Sequence, residues 1–461
     1  MRYNTTLPMM SALLLVCCQS TWALGQSLGV PADAGLIASR QPAPPLERAE
    51  PASTYSQFVD PVNGVTAEDV VRYALAHNGE LAAARQMINE ARGRLRQAGL
   101  RANPMLEASG ARALTSPDNS IMIGAELPLE LGGRRKARLE VAARELDLRE
   151  AEVADFERRL AAEARMKYAE AIAAARNLRF IEDLLDLTRS SHRLVTVRVE
   201  RGKSAPLEQN LVFVELGRVD AMRIGLDSKA AVAMLDLKKV IGMPPDEPLR
   251  LRGEFSAAEQ PTPKGDALVR ALASRPDLAA ARAAEDLASA QIEQARIDGK
   301  VDASIFANYQ RMNSGFDVRG FNSAGALVPV QQVFHFATFG VKLALPVRNK
   351  NQGNIDAALA SLEAARARRQ FAETVARNEV AAAYARWELA QSAVAVYRDN
   401  VRDQALRNLE VVRQTYVLGQ KSVLDYVAEQ RRFIEVETGY TEVLKEYFVA
   451  LAEIELAVGR K

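Results

Sequence analysis

Strict alternation of apolar and polar side chains marks four short segments of this chain. In one of them Ile121, Ile123 and Leu127 share one side of an extended backbone, whereas Gly124 and Glu126 share the other. A period of two predicts β-strands with one apolar and one polar face. The predicted strands span residues 104–111, 120–127, 301–311 and 335–345. Strands of about 9–11 residues are typical of outer-membrane barrels, although a soluble antiparallel sheet would show the same alternation.

Two much longer stretches predict unusually long helices. Arg134–Arg201 runs for 68 residues and Asn354–Leu418 for 65 residues without a glycine or a proline. Helix interiors exclude both residue types, and the Ala, Glu, Arg and Leu that fill these stretches favour helix. At 1.5 Å per residue each helix would be roughly 100 Å long. No globular core covers such a rod, so we expect a coiled coil or a wall of parallel helices.

The same order of elements occurs twice along the chain. Residues 65–81 resemble residues 264–278, and each segment predicts a short helix, capped by Thr66 in the first copy and by Asp266 in the second. A medium helix, two strands, the long helix, a tight turn and a return helix follow each time. The predicted boundaries are 61–242 for the first repeat, 243–263 for a linker and 264–461 for the second repeat.

The strand count has a consequence for the fold. Four strands cannot close a barrel, and an open sheet edge in lipid is unfavourable. The chain must therefore oligomerise, and three copies would supply twelve strands. The predicted fold class is mainly α with a β-barrel part: a long α-helical barrel and a transmembrane β-barrel that closes by trimerisation. A glycine-rich segment, residues 312–334, is predicted to be a long loop between the last two strands.

The N-terminus predicts export from the cytoplasm. Residues 1–25 combine a positive start, an apolar core and small residues before a cleavage site, which is the pattern of a secretory signal peptide. Cys17 and Cys18 are the only cysteines. Either both leave with the signal peptide or Cys18 carries a lipid, and the sequence leaves the choice open. Residues 26–60 are rich in Pro, Ala, Ser and Gln and predict an extended, mobile segment.

Composition and charge exclude several classes of function. The 60 basic and 58 acidic residues nearly cancel, so net charge gives no support for a nucleic-acid partner. The histidines His77, His192 and His335 lie in three different predicted elements, whereas a metal site needs ligands that converge. We predict no enzymatic activity, no cofactor and no resident metal.

Four motifs along the two repeats resemble those of the TolC-like outer-membrane efflux proteins. They span residues 102–106, 127–134, 345–353 and 416–425. The PLELGGRR form of the second motif most resembles the heavy-metal branch, the outer-membrane partners of cation-exporting pumps. The resemblance covers essentially all of the predicted mature chain.

The resemblance implies a homotrimer in the cell outer membrane, with a helical tube that crosses the periplasm. Such a protein is a passive exit duct, coupled by a periplasmic adaptor protein to an inner-membrane pump that is driven by protons. The expected solutes are heavy-metal cations. Two alternatives remain: a soluble periplasmic coiled-coil scaffold, and a duct of the same family for drugs or secreted proteins.

The tight turns that follow the long helices are the predicted adaptor contacts. A hairpin end far from the barrel is the part of the chain that can meet another envelope protein. The residues at these two tips are Arg201, Gly202, Lys203, Ser204, Gly419, Gln420, Lys421 and Ser422. The glycines also fit ordinary helix caps, and the two roles are compatible.

An acidic face near the second tip is a candidate constriction of the tube. Asp399, Asp403 and Glu410 fall within about 40° of one another on a helical wheel. If this face points into the tube, three chains place rings of carboxylates there, which would attract cations. A solvated outer helix face would show the same pattern, and Leu406 departs from it by lying on the acidic side.

Overall fold

The computed structural model describes residues 54–116, 118–253, 255 and 260–459. The predicted signal peptide, with Cys17 and Cys18, lies outside the described residues. Of the segment 26–60, only residues 54–60 are described. Within the described ranges, none of the helices is long and apolar enough to cross a membrane.

Ten α-helices and four strands follow one another in the described part of the chain. The first half contains α1 (Tyr55–Phe58), α2 (Ala67–His77), α3 (Gly79–Ala98), β1 (Met105–Arg112), β2 (Asn119–Pro128), α4 (Arg134–Glu200) and α5 (Pro206–Ile241). The second half contains α6 (Lys264–Ser274), α7 (Pro276–Asp298), β3 (Asp302–Phe321), β4 (Leu327–Ala344), α8 (Gln352–Val396), α9 (Arg402–Val417) and α10 (Val423–Val458). Both halves have the element order that the sequence predicts.

The two long helices differ from each other. Helix α4 is one uninterrupted helix of 67 residues. In the second half a π-helical segment of 5 residues, Tyr397–Val401, lies between α8 and α9, so the predicted long helix over 354–418 is present but contains a π-turn. The Tyr397 hydroxyl lies against Gly439 of α10. A Cβ added to Gly439 would lie only 2.7 Å from that hydroxyl. A π-turn shifts the angular positions of the residues that follow it relative to a regular helical wheel.

The short helices begin with different caps. The Thr66 side chain accepts from the Asp69 backbone N–H at 3.2 Å, and the Asp69 carboxylate accepts from the Thr66 backbone N–H at 3.2 Å, which forms a capping box. The prediction that Asp266 caps α6 is wrong, because Pro263 is the N-cap residue and makes no side-chain cap bond. Asp266 lies instead in the first turn, where a carboxylate interacts favourably with the helix dipole.

The four strands form one antiparallel sheet in the order β1-β2-β3-β4. Ile121 of β2 lies opposite Gly110 of β1 and Arg311 of β3, and Arg311 lies opposite His335 of β4. Within the described residues β1 pairs only with β2, and β4 pairs only with β3. Each of the two outer strands therefore leaves one edge unpaired.

The glycine-rich segment 312–334 is mostly strand, so its prediction as a long loop is wrong. Strand β3 continues to Phe321 and β4 starts at Leu327, and only a short turn separates them. The Asn322 side chain accepts from the backbone N–H groups of Ala324 and Ala326 at 3.0 and 2.9 Å, which holds this turn. A shift of register between Gly315 and Arg319 accommodates extra residues of β3, as in a β-bulge.

The register gives the sheet two faces of different chemistry. The apolar face carries Leu106, Ala108, Ile121, Ile123, Ala125, Leu127, Ile305, Ala307, Tyr309, Ala337, Phe339, Val341 and Leu343. The polar face carries Glu107, Ser109, Ser120, Glu126, Ser304, Asn308, Gln310, Thr338 and Lys342, among a few apolar residues. Most of the large apolar side chains on the apolar face are exposed in the single chain.

Helix α4 contacts most of the other helices, including α3, α5, α7 and α10. Small side chains permit this, since Ala161, Ala164 and Ala171 are all fully buried within the core cluster that α4 shares with α2 and α5. Helices α3 and α5 both pack along α4, as the predicted stacking of a medium and a return helix against the long helix requires.

The chain segments before α2 and after α5 pack together. Val59 and Val65 each form a parallel β-bridge with Leu251, which is fully buried. The Thr54 hydroxyl donates to Glu182 of α4 at 2.6 Å. Residues 54–60 are therefore not the extended, mobile chain that composition predicts, because the apolar side chains there gain more by burial than the segment loses in entropy.

Candidate partner-binding tips and constriction

The first tip is the turn between α4 and α5. The Gly202 N–H donates to the Val199 carbonyl at 2.9 Å, and the Lys203 N–H donates to the Arg198 carbonyl at 2.8 Å. These two bonds form a Schellman motif, which needs a left-handed residue at the glycine position. Gly202 has φ of 68°, so the glycine is required by the backbone. Helix α5 then begins with Pro206 and has no side-chain cap.

The second tip, between α9 and α10, repeats the same C-terminal cap. The Gly419 N–H donates to the Tyr416 carbonyl and the Gln420 N–H to the Thr415 carbonyl, both at 2.9 Å. Gly419 has φ of 79°. Unlike the first tip, this turn also has a capping box, in which Ser422 and Asp425 satisfy each other's backbone N–H groups. Hydrogen bonds from the Ser422 hydroxyl and backbone N–H lower the pKa of the Asp425 carboxyl.

Arg198 joins the two tips. It lies in the last turn of α4, and its guanidinium donates to the backbone carbonyls of Tyr416 and Val417 at the end of α9. A cation at a helix C-terminus satisfies free carbonyls and interacts favourably with the helix dipole. The guanidinium carbon also lies 5.9 Å from the centre of the Tyr416 ring. The two tips therefore form one surface.

A buried aromatic pair supports this surface from beneath. The rings of Tyr416 and Tyr426 stack with their centres 5.8 Å apart. The Tyr426 hydroxyl lies 3.2 Å from the Ser191 hydroxyl of α4. Burial raises the pKa of both tyrosines. Side chains of α4, α5, α9 and α10 meet in this cluster, which includes Val195 and Val212.

The tip residues themselves are open to solvent. Of the eight predicted contact residues, seven are exposed and Ser204 is half-buried. Three leucines beside them, Leu207, Leu418 and Leu424, are each at least 60% exposed. Exposed apolar side chains among polar ones are typical of protein-binding surfaces. The sequence analysis did not single out these leucines.

The three carboxylates of the predicted constriction have different neighbours. Asp399 lies in the π-helical segment and accepts from Arg398 at 2.8 Å, a hydrogen bond that lowers the pKa of Asp399. Asp403 is exposed and makes no ion pair with any described residue. Glu410 pairs with Arg413 at 3.3 Å. The π-turn before Asp403 changes the angle between Asp399 and the other two from that of a regular helical wheel.

Glu410 and Leu406 line a cavity of about 470 Å³ next to α4. Its lining includes apolar side chains such as Phe180 and Leu409, and charged ones such as Arg179 and Arg413. This cavity accounts for the apolar Leu406 on the acidic side of the helix.

A buried charge network beside the π-helical segment was not predicted. Glu437 of α10 is 5% exposed and accepts from Arg402 at 2.6 Å, while Arg176 of α4 approaches it at 4.0 Å. Both guanidinium groups also lie over the Tyr440 ring. Burial lowers the pKa of Arg176. The network joins three helices that are far apart in sequence, so no local spacing could have indicated it.

The described residues contain no group of three or more His, Cys, Asp or Glu side chains that could hold a metal ion. The three histidines have different neighbours. His77 stacks on Tyr73, His192 lies near Phe213, and His335 is 2.6 Å from the Tyr309 hydroxyl. The polar face of the sheet carries one short-range charge pair, Lys342 with Glu126 at 3.6 Å.

Comparison with known proteins gives both a family and a fold. The family described as outer membrane efflux protein matches residues 70–242 and 267–460. The cobalt-zinc-cadmium resistance protein CzcC of Cupriavidus metallidurans is 22% identical over 398 residues, which cover 86% of this chain and 90% of that protein.

Solved structures agree with the fold. A structure of CusC, from work on its folding and transmembrane channel formation, matches this chain with a TM-score of 0.68 and 19% identity. The match covers 86% of this chain and 92% of that chain. The outer membrane protein VceC of Vibrio cholerae matches with a TM-score of 0.66 and 19% identity over 86% of this chain and 96% of that chain. The predicted fold class, mainly α with a β-barrel part, is confirmed.

Proposed function

We propose, on the premise that this chain belongs to the outer membrane efflux protein family, that the solutes it exports are heavy-metal cations. The protein is an outer-membrane efflux channel that extends into the periplasm, and it is a duct without enzymatic activity. The observation that carries the choice of solute is the likeness to a cobalt-zinc-cadmium resistance protein along most of both chains. A wide duct needs few ligands, so cation export does not require a resident metal site.

The unpaired edges of β1 and β4 support a homotrimer. Channels of this family are trimeric and work with periplasmic adaptors and inner-membrane pumps. In the proposed assembly β1 of each chain pairs with β4 of the next, and twelve strands close the barrel. The apolar face then contacts outer-membrane lipid, and the polar face lines the lumen. The pump of the proposed system is driven by protons.

The tips are the proposed contacts of the adaptor protein. Their exposure, the three exposed leucines and the rigid support from Arg198 and the tyrosine pair favour this role. Binding at a preformed turn costs little conformational entropy. Residues 201–204 and 419–422 would supply polar contacts around the apolar side chains.

The constriction is proposed at the carboxylates near the second tip. Asp403 is the strongest of the three candidates, because it is exposed and has no basic partner among the described residues. Asp399 and Glu410 each have an arginine close by, which would reduce the field of a carboxylate ring. Three copies of Asp403 would favour the passage of cations over anions.

Growth experiments test the choice of solute. A strain without this protein should become sensitive to zinc, cobalt or cadmium salts while its tolerance of drugs is unchanged, and the intact gene should restore tolerance. Sensitivity to drugs alone would favour the alternative solute class. Membrane fractionation and mass measurement of the detergent-solubilised protein test the trimer. A soluble monomer would instead support the periplasmic scaffold.

A further inference from the structure

On β3 and β4 the apolar face of the sheet ends at two basic residues. The apolar side chains of β4 and the residue after it run from Leu345 to Ala337. Nine residues at about 3.4 Å each, with a strand tilt of ~40°, span roughly 20 Å of membrane thickness. The next outward-facing residues are Arg311 of β3 and His335 of β4, which lie directly opposite each other. Both therefore lie at one boundary of the apolar band.

This boundary is the outer one. The helices connect to the sheet at the other end, and the β1–β2 and β3–β4 turns lie beyond Arg311 and His335. Arg112, the last residue of β1, belongs to the same end and faces the same side, because it lies in the row of Asn119, Asn313 and Val333. Two strand spacings of about 4.8 Å place Arg112 and Arg311 roughly 10 Å apart across the sheet.

Neither arginine has an anionic partner in the part of the chain that the structure describes. No carboxylate there lies within ion-pair distance of Arg112 or Arg311. Asp118, in the turn after β1, already accepts from the Ser116 hydroxyl at 2.7 Å and from the Gly315 N–H at 2.5 Å. On the polar face, by contrast, Lys342 pairs with Glu126. Among the described residues, Arg112 and Arg311 on the lipid-facing side therefore lack a carboxylate partner, whereas Lys342 on the lumen side has one.

We propose that Arg112 and Arg311, with His335 and Tyr309 beside them, bind phosphate groups of outer-leaflet lipid. This inference rests on the proposed function, because it takes the apolar face to be the lipid-facing side of the barrel. A guanidinium group matches a phosphate with two parallel hydrogen bonds. The Tyr309 hydroxyl and His335 ring, 2.6 Å apart, form a polar edge of the kind found at membrane interfaces. The ligand is a lipid with anionic phosphate headgroups.

Native mass spectrometry of the purified full-length protein in detergent tests this site. The probes are diphosphoryl lipid A and monophosphoryl lipid A, which differ by one phosphate group. The wild-type protein should retain the diphosphoryl lipid in preference to the monophosphoryl lipid. The double variant Arg112→Gln with Arg311→Gln should retain about tenfold less of the diphosphoryl lipid. Equal retention by the double variant and the wild type would overturn the proposal.

Matched controls distinguish a specific lipid site from a general effect of positive charge and from a site for free phosphate. Lys342→Gln removes one basic residue from the polar face and should leave lipid retention unchanged. The double variant Arg112→Lys with Arg311→Lys keeps both positive charges and should retain part of the wild-type amount of lipid. It replaces the glutamine variant in the comparison if that variant fails to assemble. Inorganic phosphate at millimolar concentration should not displace the lipid. Displacement would show a free-phosphate site and overturn the lipid assignment.

Measuring conductance distinguishes a failure of the lipid proposal from a failure of the proposed channel function. The glutamine variant should form channels with wild-type conductance, because both arginines face away from the lumen. Loss of lipid retention with normal channels supports the lipid site. Retention that is unchanged in normal channels counts against the lipid site alone, whereas a wild-type protein that forms no channel counts against the duct.

Discussion

Asn78 in the first half of the chain and Arg275 in the second each bind the end of a return helix, Asn78 through a neutral amide and Arg275 through a charged guanidinium. Each lies at the junction between the short and the medium helix, and each donates to the penultimate carbonyl of the return helix. The Asn78 amide donates to Val240 of α5 at 2.9 Å, and the Arg275 guanidinium donates to Ala457 of α10 at 3.0 Å. Arg275 in addition pairs with Asp277 and Glu379, each at 2.6 Å. The second junction is therefore a charged network, and the first is neutral.

Removal of the charge from the second junction should cost more stability than the corresponding change in the first. Arg275→Asn would leave the half-buried Asp277 without its main partner. The pairing with Arg275 holds the pKa of that carboxyl low although burial alone would raise it. We expect a loss of about 2–4 kcal/mol, less than for a fully buried pair, because the carboxylates are partly exposed.

The matched change, Asn78→Ala, removes two neutral hydrogen bonds, the one to Val240 and the N-cap bond from the Leu81 N–H, and should cost about 1–2 kcal/mol. Thermal unfolding of both variants in detergent, followed by circular dichroism, measures the difference. A smaller loss for Arg275→Asn than for Asn78→Ala would contradict the view that the charged network stabilises the second half more strongly.

A change of the second tip should stop export without stopping assembly. Gly419→Pro is incompatible with the left-handed backbone and removes the N–H that donates to Tyr416, so the turn must rearrange. We expect normal amounts of the protein in the outer membrane, no co-purified adaptor and sensitivity to the exported cation.

Two further variants complete the tip experiment. Gly225→Ala in α5 is the control, because its added Cβ meets nothing within 4 Å, and it should export normally. Lys421→Glu keeps the turn and reverses an exposed charge, so it should weaken adaptor binding by itself. Wild-type adaptor binding in both tip variants would place the contact elsewhere.

The constriction proposal predicts different effects for two neighbouring acids. Asp403→Ala should raise single-channel conductance in a planar bilayer and weaken block by multivalent cations several-fold, because an unpaired carboxylate ring is lost. Glu410→Ala should change both quantities less, since Glu410 pairs with Arg413 and lines the cavity beside α4. If neither single variant nor the double variant changes conductance or block, the acidic face belongs to the outer surface of the tube.

Alkaline pH should destabilise the fold through Tyr168 of α4. Burial raises the pKa of its phenol to about 12, although Arg252 opposes the shift. The unfolded value is near 10, so this stabilisation is fully present below pH ~10 and is lost as pH rises through ~12. The loss is about 3 kcal/mol.

Tyr168→Phe isolates this contribution. It removes the hydrogen bond from the hydroxyl to the Val65 carbonyl, 3.2 Å long, and should cost about 1 kcal/mol at pH 8. Above pH ~12 the variant should be the more stable protein, because it buries no ionisable group. Unfolding midpoints measured from pH 8 to 12.5 in both proteins would show the crossover, and parallel curves would exclude it.

Local patterns in the sequence account for most of the fold. The alternation of Ile121, Ile123 and Glu126 predicts the two faces of the sheet, because side chains alternate strictly along a strand. The glycines Gly202 and Gly419 mark both tips, since only glycine adopts the left-handed cap at little cost. These features depend on neighbours along the chain, which a single sequence contains.

The remaining features depend on contacts between distant residues. Nothing local to Tyr397 indicates that it will take the space at Gly439 and interrupt the helix. Phe58 and Val59 look like part of an unstructured segment until Leu251 pairs with them. Glu410, unlike Asp403, lines the cavity beside α4, and no local pattern in the sequence indicates that difference. Sequence patterns supply the elements, and long-range packing decides how each face is used.

In the proposed trimer the edges of β1 and β4 pair between chains, so the sheet is not a folding unit of one chain. Its free energy depends on protomer concentration, so an unfolding midpoint measured for this protein is meaningful only at a stated concentration. Before assembly each chain exposes two edges that can pair with any extended segment, and it is most prone to aggregate then. In a cell that makes two alleles in equal amounts, only about one trimer in eight would be wholly of one given allele, so a defective tip would act as a dominant mutation.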